Sequence, residues 1–353
     1  MSRNGFTLRE LLVVIAIVIV LLALLMPTLH VNQTPPGRMQ CGNNVKQLSL
    51  GLQNYADTFG CFPSGAQVRT SSEFGQPSWG SSWLVATLPY CEQRPLHDKF
   101  VGAETRNNSD YASAGTRLIA NGANIKYLFC PSSKLQTMQK FGGVQLIVPS
   151  YAGIMGANID ARPAPNNAAD PLRRIVAAPY GGVAAGNGML PLNEWLTFAA
   201  CTDGSANVLL VGEVSDWYYD DAGKKLNPSL SIANAGDGPS NAAGWIAGTN
   251  LPFKIDSATS PPIPANSVCN LITLEHPVGI NNQKGINDSH PNWGTRGIGR
   301  AGLNNPLLSA HPAGAMVGFV DGHVQLLTKQ TDLYVIKRLA IRDDGAAIPA
   351  EDY

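Results

Sequence analysis

From Leu11 to Leu29 no charged side chain interrupts the chain, and Leu, Ile and Val dominate these 19 positions. As a helix they span about 28 Å at roughly 1.5 Å per residue, close to the ~30 Å hydrocarbon core of a bilayer. A second pattern follows. Val45, Leu48, Leu52, Tyr55 and Phe59 recur at spacings of 3, 4, 3 and 4, which predicts an amphipathic helix from Met39 to Phe59 with one core-facing stripe. Between the two patterns, His30 to Arg38 contains Pro35-Pro36-Gly37, a poor continuation of any helix because the ring clashes and the amide donors are missing. Further on, short runs rich in Val, Leu and Phe predict strands at Val144–Val148, Asn207–Val211, Ala315–Val320 and His323–Leu327. Asp321-Gly322 between the last two predicts a hairpin with a two-residue type I′ turn. Thr331 or Asp332 caps a final helix through Arg342, with Leu333, Ile336 and Leu339 on one side.

The elements add up to an α+β protein: an N-terminal membrane helix, a second amphipathic helix, and a body built on an antiparallel sheet with long loops. The expected organisation is a leader at 1–5, a membrane helix at 6–29, a linker at 30–38 and a body at 39–353. Ala157 to Gly188 and Asn227 to Pro264 read as long loops. No internal repeat is found, so the body is read as one unit.

Composition narrows the function. Lys+Arg and Asp+Glu both total 25, giving a formal net charge of zero, so no overall field exists to attract nucleic acid. Charged residues make up only 14% of the chain, while Gly (36) and Pro (25) are plentiful, as in a body rich in turns.

The apolar run admits three membrane readings: a cleaved secretory signal, a plain signal anchor, or a prepilin leader. A secretory signal needs small residues after its apolar stretch, and Leu24-Leu25-Met26-Pro27-Thr28 supplies no such site. Gly5-Phe6-Thr7-Leu8-Arg9-Glu10 resembles the prepilin cleavage and methylation motif, in which a short basic leader ends in Gly, Phe follows, and Glu stands four residues beyond the Phe. The resemblance implies cleavage between Gly5 and Phe6 by a prepilin peptidase, and methylation of the new Phe6 amine. A carboxylate at the edge of an apolar helix is costly unless compensated. In pilins a neighbour's N-terminal ammonium compensates it, so Glu10 would set subunit register. Arg9 departs from the pilin pattern and offers Glu10 a second cation.

A wider resemblance rests on Arg38-Met39-Gln40-Cys41-Gly42-Asn43-Asn44, Asn54-Tyr55, Gly60-Cys61-Phe62-Pro63, Phe129-Cys130-Pro131-Ser132, Ser150-Tyr151-Ala152-Gly153, Asp203-Gly204-Ser205 leading to Val211-Gly212-Glu213, and His311-Pro312 with Asp321-Gly322. Together these resemble a large planctomycete paralogous family of unknown function, type IV pilin- or pseudopilin-like, with a prepilin-type N-terminus and a C-terminal signature of His, nine residues, then Asp-Gly. Family members run from the membrane helix into the second helix without a Pro-Pro-Gly break, and carry Gly where Ala313 stands here.

Candidate chemistry is sparse. His311 and Asp321 fall short of the three or four ligands a zinc site needs; turn chemistry accounts for Asp321, and His311 is read as bonding across the hairpin to fix its register. The six cysteines, Cys41, Cys61, Cys91, Cys130, Cys201 and Cys269, show no C-x-x-C pair and allow fifteen full disulfide pairings. His276, His290 and His311 each precede Pro in loops where imidazoles could meet. Gly297-Ile298-Gly299-Arg300-Ala301-Gly302 fits a dinucleotide fingerprint literally but lacks the strand and helix around it. Asp216, Asp220 and Asp221 lack EF-hand spacing. No catalytic residue, cofactor or metal is expected.

The expected function is a pilin- or pseudopilin-like structural or interaction protein, single-pass in the inner membrane, its body in the periplasm or at the cell surface. The expected partners are the prepilin peptidase, the membrane, and self-assembly or other pilin-like subunits. The alternative is a non-polymerising anchored module that binds a solute or polysaccharide through Trp79, Trp83, Trp245 and Trp293.

Overall fold

The computed structural model describes residues 8–25, 36–70, 77–107, 110–141, 143–159, 174–219, 223, 225–226, 244–257, 259–281, 297–298, 302–345 and 348. The chain divides into two compact units, Met1–Met39 and Gln40–Tyr353. In the first, α1 (Leu8–Leu25) forms from the apolar run. Its described side chains, Leu8 through Leu21, are all exposed. Among the described residues no helix is long and apolar enough to cross a membrane. The expected span 6–29 is therefore seen only as a helix that opens on Leu8-Arg9-Glu10 and ends at Leu25. Gly5, Phe6 and residues 26–35 lie outside the described residues.

Residues 36–38, read from the sequence as the end of a linker, belong instead to α2 (Pro36–Phe59). Proline suits a first helical position because its missing N–H would have no intrahelical partner there. The stripe of α2 is real but drifts with the 3.6 period: Cys41, Val45, Leu48, Leu52 and Ala56 are buried, whereas Phe59 is exposed.

After α2 come the antiparallel pair β1 (Ala66–Thr70) and β2 (Pro77–Ser82), then α3 (Trp83–Thr87), α4 (Arg94–Asn107) and α5 (Ala114–Ile119). Ser113 caps α5 by accepting the Thr116 N–H. A second antiparallel pair, β3 (Met138–Phe141) and β4 (Val144–Ile147), precedes β5 (Tyr151–Ala157), an interior strand of the main sheet. The stretch expected to be loop from Ala157 to Gly188 contains a third pair, β6 (Ile175–Ala178) with β7 (Gly182–Ala185). Next are β8 (Leu209–Glu213), the short pair β9 (Tyr218–Tyr219) and β10 (Lys225–Leu226), β11 (Leu271–Leu274), β12 (Gly314–Phe319), β13 (Val324–Thr328) and α6 (Leu333–Leu339). Asp332 is the cap of α6, accepting the Tyr334 N–H at 2.7 Å; Thr331 instead accepts the Thr328 N–H.

The main sheet has the order β11-β5-β8-β12-β13. It is mixed rather than purely antiparallel, because β11 runs parallel to β5. Side chains alternate between its faces. Tyr151 and Met155 of β5 join the larger core with Cys41, Val45 and Leu48 of α2. Ala152 and Ile154 join the opposite core with Val317, Phe319 and the α6 residues Ile336 and Leu339. The sheet thus sits between two apolar layers. The expected loop from Asn227 to Pro264 also reaches the core: Trp245, Ile246, Ala247 and Ile255 are fully buried.

The β12–β13 hairpin differs from the expected two-residue turn. Phe319 N–H donates to His323 O, and Gly322 N–H donates to Phe319 O, so three residues, Val320 to Gly322, form the loop. Gly322 has φ +80° while Asp321 keeps a negative φ, which is a type I turn closed by a left-handed glycine rather than type I′. Lys46 and Gln53 of α2 donate to Gly322 O and Val320 O, tying the helix to the hairpin.

Candidate metal centre

Four chain segments converge on one buried point. Cys41 lies one turn before Val45 on the core face of α2, and Cys130 follows a short 3₁₀ turn, Lys126–Leu128. Glu213 ends β8 and His311 sits in the loop before β12. The ligand atoms of these four residues all lie within 4.8 Å of one another, and all four residues are buried. Cys41 and Cys130 are joined as a disulfide across 89 residues, with Cα atoms 5.1 Å apart, inside the range such bonds require. His311 Nε2 lies 3.2 Å from Cys41 Sγ and 3.5 Å from Cys130 Sγ.

Local chemistry holds each donor. In the antiparallel register of β5 with β8, Tyr151 stands opposite Glu213. The Glu213 carboxylate accepts the Ser215 hydroxyl at 2.6 Å on Oε1 and the Met316 N–H at 3.1 Å on Oε2, and Ser309 gives it a further side-chain hydrogen bond. Burial nevertheless dominates and pushes its pKa up to about 6, the three hydrogen bonds pulling the other way. Among the described residues no Lys or Arg forms an ion pair with it. Ser309 Oγ also accepts the His311 N–H at 3.0 Å, which orients the histidine backbone. On the far side, Asn44 donates to Phe129 O at 2.7 Å and to Tyr151 OH at 3.3 Å. Burial, and next the neighbouring Glu213, raise the Tyr151 pKa.

The signature pair His311 and Asp321 separates. His311 is buried with its Nε2 against the sulfurs of Cys41 and Cys130, whereas Asp321 is exposed and accepts from His323 N–H at 2.9 Å, with His323 Nδ1 2.6 Å away. Asp321 and Gly322 keep their place in the turn. His276 is buried outside the cluster, and His290 lies outside the described residues. Asp220 and Asp221, Trp293, and residues 299–301 of the glycine segment do as well. Cys61, Cys91, Cys201 and Cys269 are free. Trp83 and Trp245, expected as loop platforms, are core residues; the Trp83 indole donates to Asn270 O at 3.0 Å. Glu10 is exposed in the first turn of α1.

A profile of proteins of unknown function, DUF1559 (SBP_bac_10), matches residues 38–334. The chain belongs to the DUF1559 family. The match covers every residue of the buried cluster, from Cys41 to His311, and all five strands of the main sheet. No curated protein and no solved structure matches the chain. Reasoning from spacing missed the DUF1559 cluster because its members stand 83 to 98 residues apart, in segments with no ligand-like local pattern. A signal existed nonetheless: Cys41, Asn44, Cys130, Tyr151, Glu213 and His311 all fall within the short motifs that carried the resemblance.

Proposed function

We propose that this protein is a pilin-like structural or interaction subunit, held at the inner membrane by its N-terminal helix, with its body displayed on the outer side. One observation carries the reading: α1 leaves Leu11, Val13, Ile17 and Ile19 each more than half exposed. Uncovered apolar surface on that scale costs about 25 cal/mol per Å² in water. An apolar helix exposed on all its described faces needs lipid or neighbouring helices around it. The uncharged sequence continues to Leu29, long enough with tilt for the bilayer core. Gly5-Phe6 and Glu10 supply the processing site and the subunit-register carboxylate in this reading. The Cys41–Cys130 disulfide accords with an oxidising compartment.

Membrane fractionation of the native host tests the proposal. The full chain is expected in the membrane pellet after alkaline carbonate washing, and a chain lacking residues 6–29 in the soluble fraction. A full chain that washes off overturns it. Filaments recovered without detergent would favour assembly; a stable anchored monomer that melts at higher temperature with a solute or polysaccharide would favour the non-polymerising alternative.

A further inference from the structure

We propose that Cys41, Cys130, Glu213 and His311 form a closed, four-coordinate site for a zinc-class divalent cation, filled when the two sulfurs are thiolates rather than bonded to each other. A disulfide by itself needs neither a histidine nor a carboxylate at its side. Here both stand within ligand distance of the sulfur pair, in a place with almost no contact with water: Cys41 and Glu213 are 0% exposed, Cys130 2% and His311 5%.

Geometry and donor chemistry agree on the metal class. A tetrahedral zinc with Zn–S near 2.3 Å and Zn–N near 2.0–2.1 Å holds sulfur and nitrogen about 3.6 Å apart. His311 Nε2 is already 3.2 and 3.5 Å from the two sulfurs. Two thiolates with an imidazole favour zinc over the hard cations calcium and magnesium, which take all-oxygen shells. Four protein ligands and full burial describe a structural site, with no open position for substrate. Buried charges are normally paired or bound to metal, and Glu213 meets hydroxyls and a backbone N–H but no described ion-pair partner. Its bonds from Ser215 and Met316 form the outer layer that orients a ligating carboxylate.

Oxidation and metal binding are alternatives for the same two sulfurs. A dithiol reductant closes to its own disulfide and delivers two electrons and two protons, opening Cys41–Cys130 to two thiols. Zinc then displaces both thiol protons to water. The ion would cross-link α2, the segment after the 3₁₀ turn, the end of β8 and the loop before β12. This inference does not depend on membrane anchoring.

The test uses the full chain, reduced with a phosphine, freed of metal by chelation, and titrated with cobalt(II) chloride and then zinc chloride. Expected are saturation at one cobalt per chain, a thiolate-to-cobalt charge-transfer band with the visible bands of tetrahedral cobalt, and loss of both on zinc addition. The oxidised chain should show neither band. Ser215→Ala should weaken cobalt binding by about 10–100-fold, as outer-layer partners do, and His311→Gln by more. Absence of these bands in the reduced wild-type chain overturns the proposal without requiring that any variant fold. Bands that persist in the Cys41→Ser, Cys130→Ser chain overturn it as well.

Discussion

His311 Nε2 and Cys41 Sγ lie 3.2 Å apart although 270 residues separate them in the chain. One belongs to the loop before β12 and the other to the core face of α2, so their meeting is a product of helix-on-sheet packing. The sulfur pair beside His311 closes a long stretch of chain. By the loop-entropy relation a closure of this length stabilises by about 4–5 kcal/mol. Urea unfolding of the oxidised chain against the reduced, metal-free chain should show a loss of that order; equal midpoints would mean the bond contributes nothing to stability.

Gly318 of β12 faces α2, where an added Cβ would overlap Ser49 Oγ and press on Val45. Gly318→Ala is expected to destabilise by about 1–3 kcal/mol through overpacking. Adding Ser49→Gly should recover part of that loss, because residues in contact couple. Thermal melts of the two single variants and the double variant measure the coupling; strict additivity would show that α2 and β12 do not meet at this point.

Arg342 is buried and donates to Gly186 O at 2.8 Å and to Gly188 O at 2.6 Å. Hydrogen bonds from a charged donor contribute about 1.5–3 kcal/mol each. Arg342→Ala removes both and leaves two buried carbonyls unpaired, so a loss of at least about 3 kcal/mol in denaturant unfolding is expected. A change below 1 kcal/mol, ~a tenth of typical domain stability, would show that water replaces the guanidinium at no cost.

Burial pushes the Cys91, Cys201 and Cys269 thiols up to about 12 each. At pH 8 they stay protonated, and the thiolate is the nucleophile. Iodoacetamide is therefore expected to label half-exposed Cys61 alone in the native chain, and all four free cysteines after unfolding. The linkage has a definite sign. The folded values lie above the unfolded ones, so the stabilisation is complete below about pH 8.5 and is lost as pH rises toward 12. Stability that increases from pH 9 to 11 would contradict this.

The processing reading makes a mass prediction. Protein recovered from the native host is expected to begin at N-methylated Phe6, lacking Met1 to Gly5. Replacing Gly5 with a bulky residue should leave the leader in place. An intact start at Met1 or Ser2 in the wild-type chain would reduce the motif to coincidence.

Periodicity and turn chemistry determined much of the body without any structure. The stripe through Val45, Leu48 and Leu52, the β12–β13 hairpin around Asp321-Gly322, the Asp332 cap and the strands near Val144 and Val211 are local features. Each is written in residues a few positions apart. The tertiary structure alone decided which side chains meet. It set β11 parallel to β5, drew Trp245 from an expected loop into the core, and brought Cys41, Cys130, Glu213 and His311 to one point. Those pairings follow from long-range burial and strand register, which leave no periodic trace between segments 80 or more residues apart.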